Sequence, residues 1–339
     1  MQPRARGFFL TPTVFDDVPL VVQDRRLDRS GELAYVTSPA DIMGMKGDRF
    51  LVNGREQPYF EAPAQLVRFR LLNGSNARID NFGLSDDRPF EVIASDAGLL
   101  REPVRMTRLL LGPAERAEIV VDLTHERGRS IELRSYSSEI VPILSKQAME
   151  KDRFDAGSFD LLQLRVVAPT RHVSQLPYRL AEIPALRPDA PHRRLVLGVA
   201  DDVMTLAGDA KGRRFRGPGG MNLGIGGQRF FWINRDYFAR SDQYEARTRL
   251  DGSVGPEQYE QDGPSRPHPR HVVPHLTRNG AAPPPVEQGW KDTVLVRPAE
   301  HVRIAARFKK RAGDDAPDMY HCHILEHEDN GMMGQFTVT

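Results

Sequence analysis

The sequence predicts an all-β protein with two Greek-key sandwich or barrel domains. Short runs rich in Val, Ile, Leu and Phe recur along the chain, each bounded by Gly, Pro, Asn or Asp. Proline makes up 26 of 339 residues, or about 8% against an average near 5%. Many short strands separated by turns are typical of β-sandwiches and barrels. A chain of 339 residues has about the length of two such domains.

Strands are predicted along the whole chain from this pattern. In "QLVRFRLLNG" the alternation places Val67, Phe69 and Leu71 on one face and Arg68 and Arg70 on the other. The other predicted strands of the first half are "DVPLVVQDRRL", "PFEVIASDAG", "RLLLGPAERAEIVVDL" and "SFDLLQLRVV". Those of the second half are "RLVLGVA", "RFFWINRDYF", "DTVLVRP", "EHVRIAARF" and "GQFTVT".

A proline-rich break separates the two halves. The stretch "APTRHVSQLPYRLAEIPALRPDAPHRR" carries five prolines and no sustained period. We therefore expect domains at residues 16–168 and 196–339, a linker at 169–195, and a remnant of a preceding domain or linker at 1–15. The Gly-rich "GPGGMNLGIGG" follows no clear strand and opens no helix, so it predicts a flexible connection rather than a phosphate-binding loop.

The composition excludes several classes of partner. The formal net charge of +1 gives no electrostatic basis for binding nucleic acid or an anionic membrane. No apolar stretch approaches the roughly 20 residues needed to span a bilayer, and the mean hydropathy is −0.48, so we expect a soluble protein. The N-terminal apolar run "GFFL" is too short for a secretory signal, which leaves the compartment undetermined. The single cysteine excludes an internal disulfide.

That cysteine lies within "YHCHILEHEDNGMMG", which predicts a metal site. A strand through "DMYHCHIL" would put His321 and His323 on one face and Cys322 on the other. His327 and Met332 follow Cys322 by five and ten residues. Thiolate, imidazole and a weak thioether are the ligands of a blue-copper site, which needs one further histidine. A structural zinc site would more often recruit several cysteines.

Packing is the alternative explanation for each of these residues taken singly. A lone buried cysteine is usually a small hydrophobe, and Met332 or Met333 alone would more often fill a core. The spacing of the whole set favours the metal site. Met43 and Met45 in "DIMGMKGD" also lie close together, and for them turn formation or core packing is the interpretation.

The motif also carries a family resemblance. "HCHILEHEDNGMMGQFTV" resembles the C-terminal copper signature of the three-domain multicopper oxidases, in particular the bacterial laccase-like, copper-efflux-oxidase and bilirubin-oxidase branch. "LVNGREQPYFEAP", "VRFRLLNGSNARIDNFGLSDDRPFEVIASDAGLLREPV" and "RNGAAPPPVEQGWKDTVLV" resemble its second and third domains. The resemblance implies two cupredoxin-like domains, copper as cofactor, a small-molecule or metal-ion electron donor, O2 as oxidant, and a location outside the cytoplasm.

The resemblance also implies roles for individual residues. Cys322, His327 and Met332 would bind the type 1 copper that takes electrons from the substrate. His321 and His323 would bind the type 3 copper pair of the trinuclear cluster, where O2 is reduced to water.

Glu328 matches the acidic residue that helps deliver protons to the oxygen site in this branch. From the residues alone it would be an ordinary exposed carboxylate.

Two features depart from the family pattern. The family's N-terminal domain supplies two His-x-His motifs, whereas this chain has ten histidines and a single His-x-His, at 321–323. We therefore expect the N-terminal domain to be missing and the cluster to be incomplete in this chain. The family's His-Pro-x-His-x-His motif reads "HPRHVVPH" here. His268 matches the type 1 ligand and His271 a cluster ligand, but the third histidine is displaced to His275.

A shifted reading frame would explain the second departure. Residues 251–276 lack strand periodicity, and codons for "HPRHVVPH" read one base later can give Ile-His-Gly-Thr-Ser-Phe-Arg-Ile, which resembles the family sequence. We hypothesise that the segment of about residues 252–276 is translated out of frame. In that case His268 and His271 match the motif by accident.

Three functional hypotheses follow from the sequence. The first is a laccase-like multicopper oxidase that removes one electron at a time from phenols or metal ions. This chain would then be an incomplete part of that enzyme. The second is a non-catalytic type 1 copper protein that transfers electrons. The third is an inactive fragment.

Overall fold

A computed structural model describes residues 17–35, 41, 44–140, 153–170, 175–183, 197–200, 230–233, 247–248, 277–297, 300–304, 318–329 and 332–338. The chain divides into two compact units. Unit 1 comprises residues 1–34, 46–184 and 276–303, and unit 2 comprises residues 35–45, 185–275 and 304–339. Nearly all regular structure in the described residues is β-strand, which confirms the predicted all-β class.

The division into units does not follow the linear order of the chain. Residues 276–303 belong to unit 1, and residues 35–45 belong to unit 2. The domain boundaries at 16–168 and 196–339 stay a prediction. In the expected linker, the described residues 175–183 carry no regular secondary structure. Leu180 N–H donates to the carbonyl of Arg101 at 2.9 Å, so this part of the linker is tied to unit 1.

The described strands are β1 (Asp17–Arg25), β2 (Arg49–Val52), β3 (Arg55–Glu56), β4 (Tyr59–Pro63), β5 (Leu66–Asn73), β6 (Asp80–Leu84), β7 (Phe90–Ser95), β8 (Gly98–Met106), β9 (Leu109–Leu111), β10 (Arg116–Asp122), β11 (Ser130–Ser135), β12 (Phe159–Val167), β13 (Leu197–Ala200), β14 (Phe230–Ile233), β15 (Arg247–Thr248), β16 (Thr277–Arg278), β17 (Val302–Arg303), β18 (Asp318–His321) and β19 (Met333–Val338). Single 3-10 turns occur at Ser137–Glu139, Arg153–Asp155 and Pro285–Glu287. The α-helix within the described residues, α1, spans Leu325–Asp329.

Unit 1 is a sandwich of two mixed sheets. Their strand orders are β3-β2-β1-β5-β10-β7-β8 and β4-β12-β11-β6-β9 in the described part of the chain. The pairs β1–β5 and β4–β12 are parallel, whereas most neighbours are antiparallel. Buried residues from both sheets form one hydrophobic core, as expected for two sheets packed face to face.

Strand β5 shows how the sequence pattern places this core. Val67, Phe69 and Leu71 are 0%, 2% and 1% exposed, which confirms the predicted inner face. On the other face Arg68 pairs with Glu118, and Arg70 Nε lies 2.8 Å from Asp17 Oδ1. The period of two therefore separates apolar from charged side chains along the whole strand.

Two buried cations tie the irregular segments of unit 1 to its sheets. Arg78 is fully buried, and its guanidinium lies 2.9 Å from Asp24 and 3.0 Å from Asp155. Lys291 is 4% exposed, with Nζ 3.0 Å from carboxylate oxygens of both Asp96 and Glu115. Because a buried cation without a partner is strongly destabilising, these contacts fix where both segments pack.

Unit 2 is described mainly at its C-terminal hairpin. Strands β18 and β19 are antiparallel, with Met319 opposite Gln335 and His321 opposite Met333. Strand β15 pairs in parallel with β19, and β13 pairs with β14. Among the described residues, no helix has the length and apolar character that crossing a membrane requires.

The structure corrects one strand prediction, because residues 292–297 of "DTVLVRP" form no strand. They follow Lys291, whose position is fixed by buried ion pairs. In "EHVRIAARF" the described residues include the two of β17. Strands that were not predicted are β2, β3, β4, β6, β8, β11, β15 and β16.

Truncation of Phe69 should destabilise unit 1 much more than truncation of its neighbour. Phe69→Ala removes a buried ring from the core, and we expect a loss of about 3–5 kcal/mol in the free energy of unfolding. Arg70→Ala is the matched control, with an expected change of about 1 kcal/mol or less, because the Arg70 side chain is half exposed in its ion pair with Asp17. Urea unfolding measures both, and equal losses would contradict the assignment of faces.

Asp80 should make the stability of unit 1 depend on pH. Burial raises the pKa of the Asp80 carboxyl to about 7, although the hydrogen bond from Ser135 and the positive charge of Arg78 act to lower it. The folded chain then holds a proton that the unfolded chain loses near pH 4. The Asp80 contribution to the free energy of unfolding should fall between about pH 4 and pH 7, by up to about 1.4 kcal/mol per pH unit.

Asp80→Asn removes this titration and should flatten the dependence. The measurement is the difference in unfolding free energy between wild type and variant at pH 5 and pH 7. A difference that is independent of pH would contradict the raised pKa.

Candidate metal centre

A closed loop at the end of the β18–β19 hairpin holds the predicted metal ligands. Cys322 directly follows β18, and its N–H donates to the carbonyl of Met332 at 3.0 Å. This bond continues the register in which His321 lies opposite Met333. Cys322 and Met332 are therefore fixed at the two ends of the loop, next to each other, and Met332 is buried at 6% exposure.

Helix α1 brings the third residue to the cysteine. His327 N–H donates to the carbonyl of Ile324 at 2.9 Å, and the carbonyl of His327 accepts from Met332 N–H at 3.0 Å. Ile324 N–H donates to Cys322 Sγ at 3.4 Å. With the backbone fixed on both sides, His327 Nδ1 lies 3.6 Å from Cys322 Sγ.

This sulfur–nitrogen distance fits two ligands of one metal ion. Bonds of about 2.3 Å to sulfur and about 2.0 Å to nitrogen at a tetrahedral angle give a separation of about 3.5 Å. Burial raises the pKa of the Cys322 thiol to about 11, opposed by the Ile324 N–H and reinforced by the Glu328 carboxylate. A metal that binds here must therefore displace a proton from sulfur.

The two remaining histidines form a separate group. The rings of His321 and His323 meet edge to face with centroids 4.7 Å apart. His321, His323 and Glu328 each offer a ligand atom, and these atoms lie within 4.8 Å of one another. His321 Nδ1 is 3.1 Å from the carbonyl of Cys322 and 3.4 Å from Glu328 Oε2. Donation from Nδ1 selects the tautomer whose lone pair is on Nε2, the form that binds a metal.

The backbone of this segment differs from the predicted strand through "DMYHCHIL". Strand β18 ends at His321, the chain bends at His323 and Ile324, and α1 begins at Leu325. The reason is local hydrogen bonding, because the carbonyl of Ile324 accepts from the N–H groups of both His327 and Glu328. The structure nevertheless brings Cys322 and His327 together in one group and His321 and His323 in another.

The other predicted ligands have no described position. His268 and His271 lie outside the described residues, as do the hypothesised out-of-frame segment 252–276 and the Gly-rich stretch 217–227. The Glu328 carboxylate, which the residues alone predicted to be exposed, is 28% exposed and faces His321.

Sequence reasoning missed a second group of residues at this loop. Glu326 is 1% exposed, and its carboxylate accepts from Met45 N–H at 3.1 Å. The hydroxyl of Tyr35 lies 3.5 Å from Asp329 Oδ2. In the sequence, "LEHED" looks like a solvated charged turn, and nothing links it to residues nearly 300 positions earlier.

Comparisons with known proteins agree with this geometry. The family model of the multicopper oxidases matches residues 254–339. The laccase of Bacillus subtilis is 28% identical over 350 residues, which cover 95% of this chain and 62% of the laccase. The laccase-like multicopper oxidase CueO of Ochrobactrum sp. superposes with a TM-score of 0.69 at 28% identity, covering 96% of this chain and 67% of CueO. This chain is therefore similar to multicopper oxidases along nearly its whole length.

Other members of the family show a similar match. A multicopper oxidase of Pediococcus acidilactici is 30% identical with a TM-score of 0.67, over 96% of this chain and 59% of that protein. The cell division protein FtsP of Sodalis glossinidius is 33% identical over 95% of this chain and 61% of FtsP. The chain thus spans about 60% of the length of the curated relatives it matches. The similarity confirms the cupredoxin-like fold and implies copper as the cofactor.

The two groups of ligands should respond separately to substitution. Cys322→Ser and His327→Ala each remove a ligand on one side of the loop, so we expect both to abolish the intense blue thiolate-to-copper absorption. His323→Ala lies in the other group and is the matched control, with the blue band retained. Titration with Cu²⁺ followed by absorption spectroscopy measures all three. A band that survives in Cys322→Ser would contradict the assignment of the thiolate.

Proposed function

We propose that this chain binds a type 1 copper through Cys322, His327 and Met332 and accepts single electrons from a small donor, for delivery to O2. The donor class is phenols or metal ions. The supporting observation is the pair Cys322 Sγ and His327 Nδ1, 3.6 Å apart, with Met332 hydrogen-bonded to the backbone of both residues. His268 is the candidate for the remaining imidazole. When bound, copper supplies reversible one-electron chemistry.

The neighbours of Cys322 give the electron a short route. His321 and His323 are covalently joined to Cys322 through the backbone, and His321 Nδ1 also lies 3.1 Å from the Cys322 carbonyl. In this proposal the two histidines, with His271, serve the oxygen-reducing cluster. Glu328 lies 3.4 Å from His321 and remains partly exposed. Its carboxylate can therefore exchange protons with solvent and hold one beside the histidine pair.

In this proposal residues 16–168 and 196–339 are the two cupredoxin-like domains. The protein acts outside the cytoplasm and has no nucleic-acid partner. The net charge of +1 gives no electrostatic basis for binding nucleic acid, and the location is the one that the family resemblance implies.

A role in cell division is the second candidate function. The observation that favours it is the similarity to FtsP, which reaches 33% identity in three of the relatives and exceeds the 28% identity to the Bacillus laccase. Such a role would use the cupredoxin fold without requiring electron transfer.

A copper titration of the purified chain tests the proposed function. We expect a blue absorption that saturates at one copper per chain and bleaches when a phenol or Fe²⁺ is added under argon. Air is then admitted, and oxygen uptake is followed in the same sample. Cys322→Ser is the matched control and should show neither the blue band nor the bleaching.

Each outcome separates the candidates. Bleaching followed by oxygen uptake supports the oxidase, whereas bleaching without oxygen uptake supports a type 1 electron-transfer protein. A wild-type chain that remains colourless at saturating Cu²⁺ would refute the copper proposal. It would leave either the cell-division role or an inactive fragment.

A further inference from the structure

Glu326 is a buried acid that has no place in the proposed ligand set. It precedes His327 on α1, and it is 1% exposed. A carboxyl group removed from water is destabilising unless hydrogen bonds compensate for its lost hydration. Its partners therefore indicate what the residue does.

Two hydrogen-bond partners of Glu326 among the described residues, Met45 and Tyr35, lie in one distant segment of unit 2. Met45 N–H donates to Glu326 Oε2 at 3.1 Å. The phenol of Tyr35 hydrogen-bonds to Glu326 and Asp329, and its oxygen is 3.5 Å from Asp329 Oδ2. Partial burial and these two carboxylates raise the pKa of Tyr35 to about 12, so the phenol stays protonated and acts as the donor. Tyr35 and Met45 begin and end the segment 35–45 that belongs to unit 2.

Helix α1 requires such an anchor. It has five residues, and an isolated helix shorter than about 12 residues is marginal in water. The Ile324 carbonyl closes its first turn, but that bond does not fix the helix against the rest of the unit. The contacts of Glu326 do so, because they join α1 to a segment about 280 residues away in the sequence.

We propose that Glu326 is a positioning residue for the copper centre, which anchors α1 to the segment 35–45 and thereby holds His327 at its distance from Cys322. The inference rests on the proposed type 1 site. Its chemical basis is that residues outside the ligand set orient the ligands, and that loss of such a partner typically lowers metal affinity about 10–100-fold.

Three variants of α1 test the proposal. Glu326→Ala removes the anchor without lowering helix propensity, and we expect copper affinity, measured by competition with a chelator, to fall about 10–100-fold. The absorption maximum of the blue band should shift as well. Glu326→Gln keeps an acceptor for Met45 N–H and should restore part of the affinity. Asp329→Ala removes one contact of Tyr35 with the same helix but keeps the Met45 contact of Glu326, so it is the comparison variant, with a smaller loss of affinity than Glu326→Ala.

A second measurement needs no metal. Amide hydrogen exchange of copper-free protein should be faster at Met45 and across α1 in Glu326→Ala, and unchanged at Met45 in Asp329→Ala. If Glu326→Ala does not fold, Tyr35→Phe is the substitute, since Tyr35 is 50% exposed. We expect a smaller change in the same direction for both measurements.

The outcomes distinguish this inference from the function on which it rests. Wild-type protein that forms no blue centre overturns both. A blue wild type together with a Glu326→Ala variant of unchanged affinity, spectrum and exchange overturns the positioning role alone. Equal losses in Glu326→Ala and Asp329→Ala would also overturn it, because they would show a general effect of charge on the helix.

Discussion

The hydrogen bond from Cys322 N–H to the Met332 carbonyl is the constraint on which the metal centre depends. It continues the pairing of β18 with β19 by one residue. The hairpin therefore holds Cys322 and Met332, the two ends of the ligand loop, next to each other. The chain between them must then turn within the loop, and α1 with its local hydrogen bonds provides that turn. His327 reaches Cys322 because both ends of the loop are already fixed.

The side chains of consecutive residues point in alternate directions, which divides the centre into a Cys322 group and a histidine group. Cys322 points to His327, whereas His321 and His323 lie ring against ring beside Glu328. One backbone segment thereby connects a thiolate group to an imidazole group without any long-range contact. This separation is what a protein needs to receive electrons at one metal and use them at another.

Buried charge fixes irregular segments in both units. In unit 1, Lys291 between Asp96 and Glu115 holds the segment that follows β16. In unit 2, Glu326 receives Met45 N–H and connects α1 to the segment 35–45. Residues 292–297 and the described residues of the segment 35–45 form no strand, and a few satisfied polar groups position them instead.

The sequence by itself determined the all-β class, the inner face of β5 and the spacing of Cys322, His327 and Met332, because period two and loop spacing are local properties. It also predicted thiolate, imidazole and thioether as copper ligands, and this ligand set stays a prediction. Only the tertiary structure decided that the strand ends at His321, that residues 292–297 form no strand, and that Glu326 is buried. Each of these depends on partners far away in the chain, such as Met45 for Glu326, and contacts of this kind leave no periodic signal in the sequence.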